Sequence, residues 1–118
     1  MLIRYGNSEV LLPGDIEGAV ERRLMSRLPP FEAGVDLLLA PHHGSRSSST
    51  AEFLALTEPR HVVFATGWAN RYGFPDSDVV MRYKLMGATV FQTDMTGALR
   101  FEFDRTGLSS APRQQRRQ

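Results

Sequence analysis

Three short apolar runs, each stopped on its carboxyl side by a turn-forming segment, constrain this chain most. They are residues 9–12 before Pro13-Gly14, residues 35–40 before Pro41, and residues 61–66 before Gly67. Helical spacing fills the gaps between them. Ile16, Val20, Leu24 and Leu28 recur every four residues and mark one face of an amphipathic helix, which Pro29-Pro30 ends. Ser48 or Ser49 can cap a helix over residues 50–56. Asp76 or Ser77 can cap another that carries Val79, Val80, Tyr83 and Met86 and stops at Gly87. A short strand at residues 2–5, joined through Gly6-Asn7, precedes the series. Strands at 89–92 and 99–103, around a turn at 94–97, close it. The order is ββαβαβαββ, which predicts a layered α/β domain.

The chain has 118 residues, 42% of them hydrophobic, enough for one modest core and too few for a large α/β enzyme. It has no cysteine, which excludes a disulfide scaffold, a Cys-ligated zinc site and thiol catalysis. No apolar run approaches the ~18 residues of a membrane-spanning helix, and the first seven residues do not read as a signal peptide. The formal charge of +1 hides an asymmetry: residues 1–104 carry 10 basic and 13 acidic side chains. The expected organisation is a folded part over 1–104 and a disordered basic tail over 105–118.

Loops leaving the carboxyl ends of strands in such a sheet converge on one edge, where ligands bind. Two of these loops hold donors suited to zinc or manganese. Asp15 ends Leu-Leu-Pro-Gly-Asp, and His42 and His43 lie in Pro-His-His-Gly-Ser. Asp15 also suits a helix N-cap, and paired histidines in a Ser-rich loop also suit plain solvation. His61 opens an apolar strand and reads as structural. A third loop, residues 67–75, offers Asn70, Arg71 and Tyr72. Arg71 can pair with a phosphate oxygen, and Asn70 and Tyr72 can bond a substrate or the loop itself. Ser45, Ser47, Ser48 and Ser49 lack a Gly-x-Ser-x-Gly elbow.

Taken in order, Leu-Leu-Pro-Gly-Asp, Val-Asp-Leu-Leu-Leu-Ala-Pro-His-His-Gly-Ser-Arg-Ser-Ser and Gly-Trp-Ala-Asn-Arg-Tyr-Gly-Phe-Pro resemble the C-terminal region of ComEC-type competence proteins. The likeness continues through Met86-Gly87-Ala88-Thr89-Val90 and residues 93–98, and spans about 2–103. It implies a metallo-β-lactamase-like αββα sandwich, of which this chain reads as the C-terminal half. One or two divalent metals, zinc or manganese, would sit at the sheet edge. Asp15 matches the metal-bridging aspartate, and His42 and His43 match the histidine pair. Ser45, Asn70, Arg71 and Tyr72 fall where substrate is bound.

The implied setting is DNA uptake in transformation. There the family forms a membrane channel for DNA, and this domain, on the outer face of the cytoplasmic membrane, would degrade the strand that does not enter. Partners implied are DNA, the other half of the domain or the channel region, and a second copy through an open sheet edge. Two departures stand out. The family's main histidine cluster precedes the Gly-Asp strand, and the 14 residues before Asp15 contain no histidine. Phe74 stands where the family often has a histidine. The expectation is therefore a hydrolase part that is inactive alone. The alternatives are a catalytically dead binding module and a small-phosphoester hydrolase of the same fold.

Overall fold

The computed structural model describes residues 1–112. Its core is a five-stranded sheet of β1 (Leu2–Tyr5), β2 (Ser8–Leu11), β3 (Leu37–Leu39), β4 (His61–Phe64) and β5 (Thr89–Gln92), in that spatial order. The β1–β2 pair is antiparallel and the other three pairings are parallel. The α/β expectation therefore stands, with a mostly parallel sheet. The β1–β2 turn uses Gly6 at φ 58°, and a Cβ there would lie 2.2 Å from the Arg105 carbonyl oxygen. Only glycine suits both the conformation and that close approach.

Three helices cross between the parallel strands: α1 (Gly18–Met25), α2 (Ala51–Thr57) and α3 (Ser77–Leu85). The strands run in one direction across the sheet, so right-handed crossovers place these helices on the same face. The core confirms it. Leu11, Leu38, Val62, Phe64 and Val90 pack with Phe53 and Leu54 of α2 and with Val79 and Tyr83 of α3. Strand alternation sends Ile3, Val10, Leu37, Leu39, Val63 and Phe91 to the other face. Phe101 covers one side of that face, its ring 5.5 Å from Phe91 and 6.1 Å from His61. His61 is structural, its Nδ1 lying 3.1 Å from the Asp36 carbonyl. Toward β1 the face is open: Ile3 is 42% exposed and Tyr5 51% exposed.

Several local expectations are corrected. Glu17, not Asp15, flanks the start of α1, and it caps with no side-chain bond. Ile16 lies before the helix and Leu28 beyond it. Thr50, not Ser48 or Ser49, caps α2, its hydroxyl accepting from the Phe53 amide at 3.3 Å. Ser48 and Ser49 are buried, and their hydroxyls go to Pro41 O and Tyr83 OH. Asp76 caps α3 as expected.

The segment after β5 forms one helical turn, α4 (Thr93–Thr96), rather than a hairpin turn. The final strands are β6 (Glu102–Asp104) and β7 (Gly107–Ser110), paired in a separate small sheet. The tail expected from residue 105 therefore includes a strand. The reason is local: Asp104 Oδ1 accepts from Thr106 N, Thr106 Oγ1 and Gly107 N and turns the chain back. Residues 113–118 of that expected tail lie outside the described residues.

Candidate functional site

Four segments leave the carboxyl ends of β2 to β5 and meet at one edge. Backbone bonds lock them together: the His42 amide donates to Gly14 O at 3.0 Å, and the Asp76 amide donates to Gly44 O at 2.9 Å. The histidine loop is strained. His42 (φ 48°), His43 (φ 54°) and Gly44 (φ 83°) form an unbroken left-handed run inside a 3₁₀ turn over Pro41–Gly44. Each non-glycine residue held there costs roughly 1–3 kcal/mol, and such residues cluster at functional sites. Gly44 is required, since a Cβ would fall 2.5 Å from the Phe64 ring and 2.6 Å from Pro75.

The run sends the two imidazoles to different partners. His43 Nδ1 lies 2.8 Å from the Ala65 carbonyl, and His43 Nε2 lies 3.3 Å from Asp15 Oδ1. A carbonyl only accepts, so Nδ1 carries the proton. Nε2 then faces the Asp15 carboxylate, with both side chains open to solvent. His42 faces away from this pair. Its Nδ1 is 3.2 Å from Glu17 Oε1 yet makes no hydrogen bond, and its ring meets Phe74 edge-on at 5.9 Å.

The metal expectation meets a limit in ligand number. Among the described residues no three His, Cys, Asp or Glu side chains gather to hold a cation. Asp15 and His43 supply two donors, and zinc sites usually take at least three protein ligands. The described residues do not by themselves fit a complete metal site.

The remaining expected residues serve the loops. Ser45 Oγ lies 3.0 Å from Ser47 Oγ within its own turn. Asn70 closes the third loop: Oδ1 accepts from the Phe74 amide at 2.9 Å, and Nδ2 donates to the Phe74 carbonyl at 2.7 Å. Tyr72 stacks on Phe74 at 5.7 Å, and the Arg71 guanidinium sits 5.9 Å over the Tyr72 ring. Arg46 reaches across to Asp76, Nε to Oδ2 at 3.2 Å. Desolvation raises the Asp76 carboxyl, but the Asp78 amide, the Arg46 charge and the Val79 amide outweigh it and hold the group below its ordinary range.

Two residues were missed by sequence reasoning. Glu21 is fully buried in α1 and accepts from the Ser49 and Thr50 amides, the latter at 3.0 Å. It thereby ties the histidine loop to the first helix. The available signal was an acid on the helix one residue from the apolar Val20 position. Asp94 lies in α4, just past the carboxyl end of β5, and its Oδ1 accepts from Thr66 Oγ1 at 2.9 Å. Its signal was an acid two residues after the end of a strand. A separate cavity of about 970 Å³ lies at the opposite end of the strands, lined by Arg4, Asp36, Arg60 and Thr106 among others. It holds none of the expected site residues.

No protein-family model matches the chain. Individual proteins do. A protein named Competence protein ComA from Neisseria gonorrhoeae is 32% identical over 105 residues, covering 89% of this chain and 15% of that protein. ComE operon protein 3 of Bacillus subtilis is 30% identical over 106 residues, 89% of this chain and 13% of that protein. Recombination protein 2 of Haemophilus influenzae is 29% identical over 113 residues, 94% of this chain and 14% of that protein. These likenesses support a relationship to ComEC-type competence proteins. The chain spans 13% to 15% of the length of these relatives.

Proposed function

We propose that this chain acts in DNA uptake during natural transformation, as the C-terminal half of a metallo-β-lactamase-like hydrolase domain acting on DNA phosphodiesters. The observation that carries the reading is the Asp15–His43 pair, 3.3 Å apart at the carboxyl edge of a parallel sheet. The strained loop that holds the pair is stability given up for geometry. Competence relatives that match over nearly the whole chain support the setting.

In this reading Asp15 and His43 are part of a divalent-cation site, zinc or manganese, completed by another segment. No hydrolytic step belongs to this chain alone, because it offers two donors. The open apolar face at Ile3, Val10 and Leu37 receives the second sheet of the sandwich. A membrane-associated parent at the outer face of the cytoplasmic membrane fits the relatives. Among the described residues no helix is long and apolar enough to cross a membrane. Phe74 against His42 favours a second reading, a binding module that has lost catalysis.

Calorimetric titration with manganese and with zinc tests the proposal. We expect binding weaker than micromolar, abolished by Asp15→Ala and by His43→Ala and retained by His42→Ala. The chain alone should not cleave DNA. Titrations that are the same for the native chain and Asp15→Ala would overturn the hydrolase reading in favour of the binding module.

A further inference from the structure

The carbonyl that meets His43 is itself held in place from the next strand. β4 stops at Phe64, and the Thr66 amide donates back to Phe64 O at 3.1 Å, a three-residue turn centred on Ala65. That turn carries the Ala65 carbonyl past the sheet ladder and onto His43 Nδ1 at 2.8 Å. The His43 side chain is 48% exposed, so water reaches its ring. The bond to Ala65 orients the imidazole only as far as the carbonyl is kept still.

The grip comes from α4. A peptide unit is planar and trans, so its N–H and C=O point in opposite directions. The Ala65 carbonyl and the Thr66 amide are the two ends of one such unit. Thr93 Oγ1 accepts from that amide at 2.9 Å and donates to the Thr66 carbonyl at 2.8 Å. Beside it, Asp94 Oδ1 accepts from Thr66 Oγ1 at 2.9 Å. The amide, carbonyl and hydroxyl of Thr66 are thus all bonded to the first two residues of α4. Thr66 is buried and Thr93 half-buried, so water competes poorly for these bonds. A continuous line of polar contacts runs from Thr93 through the Ala65–Thr66 peptide and the His43 ring to Asp15.

We propose that Thr93 is a positioning residue for His43. By fixing the Ala65–Thr66 peptide it keeps the imidazole proton on Nδ1 and makes Nε2 the lone-pair nitrogen of the neutral ring. Which nitrogen carries the proton is set by the hydrogen bond the ring makes, and an imidazole serves as base or ligand only through the bare one. The two neighbours of His43 compete for that proton. Asp15 draws it toward Nε2 from 3.3 Å, but its side chain is 74% exposed and solvated. The Ala65 carbonyl draws it toward Nδ1 from 2.8 Å and is fixed, which decides the contest. That role rests on the reading above that the Asp15–His43 edge is the chemical centre of this chain.

The test is nitrogen NMR of the histidine rings in the full chain, in chelator and at about pH 9, above the ordinary imidazole range. Long-range proton–nitrogen correlations distinguish a protonated ring nitrogen from a bare one. The chain has three histidines, and the signals lost in His43→Gln assign that ring. We expect native His43 to carry its proton on Nδ1. Thr93→Val keeps the shape but removes the hydroxyl, and should let the proton move toward Nε2, drawing the two His43 nitrogen shifts together. Thr93→Ser should restore the native shifts. His61, whose Nδ1 faces the Asp36 carbonyl, should keep its shifts in every variant and so reports that the sheet is intact. A proton on Nε2 in the native chain would overturn the role of Thr93 without any variant having to fold. So would Thr93→Val with native His43 shifts, or Thr93→Ser that behaves like Thr93→Val. With no cation present, the result is independent of the metal titration. A failure here with cation binding intact refutes only the role of Thr93. The expected tautomer without cation binding refutes only the hydrolase reading.

Discussion

Gly44 and Glu21 show how single residues set the histidine loop. Gly44 has φ 83° and packs its bare α-carbon against Phe64 and Pro75. Gly44→Ala therefore adds both backbone strain and overlap, and we expect a loss of about 3 kcal/mol in urea denaturation. Glu21→Ala leaves the Ser49 and Thr50 amides without their acceptor inside the protein. Its expected cost is also about 3 kcal/mol, against near zero for an exposed acid such as Glu52. A Glu21→Ala protein as stable as the native chain would mean that water replaces the carboxylate. The Gly44 requirement was half legible, since His-His-Gly reads as a loop. Its close approach to Phe64 was not, because 20 residues separate them in sequence.

At the scale of elements, the β6–β7 hairpin carries its own pH response. Hydrogen bonds from the Thr106 hydroxyl and amide, with that of Gly107, hold the Asp104 carboxyl below its ordinary value of 3.8. A depressed value means that the ionised form stabilises the folded hairpin. That contribution is present above 3.8 and is lost as pH falls through the lower folded value. Amide NMR of Thr106 and Gly107 should show a transition with a midpoint below 3.8, absent in Asp104→Asn. A midpoint at or above 3.8 would contradict the turn. Asp-Arg-Thr-Gly is a recognisable turn signal, but the Ser-, Arg- and Gln-rich sequence from Ser109 onward makes the segment read as tail. The Asn70 loop was legible as a loop, while its inward amide bonds depend on how the chain closes on Phe74.

For the whole molecule, the consequence is one-sided covering of the sheet. Helices pack on one face, and Ile3 and Tyr5 remain exposed on the other, next to the unpaired edge of β1. An open apolar face beside a free strand edge favours association. Sedimentation of the isolated chain should show concentration-dependent association, relieved by Ile3→Lys with little change in thermal stability. A strictly monomeric native chain across the range would argue that Phe101 and its neighbours cover enough of that face.

The order of strands and helices as far as β5, the α/β class, a cap at Asp76 or its neighbour Ser77 and the candidate donors were determined by the sequence, because each depends on residues close in the chain. Only the tertiary structure decided that Asp15 meets His43 and not His42. That choice depends on three consecutive left-handed residues and on the Ala65 carbonyl across the sheet edge. It also decided that Asn70 serves its loop, that Glu21 is buried, and that one face of the sheet stays partly open. Each of these follows from contacts between segments far apart in sequence, which local periodicity does not encode.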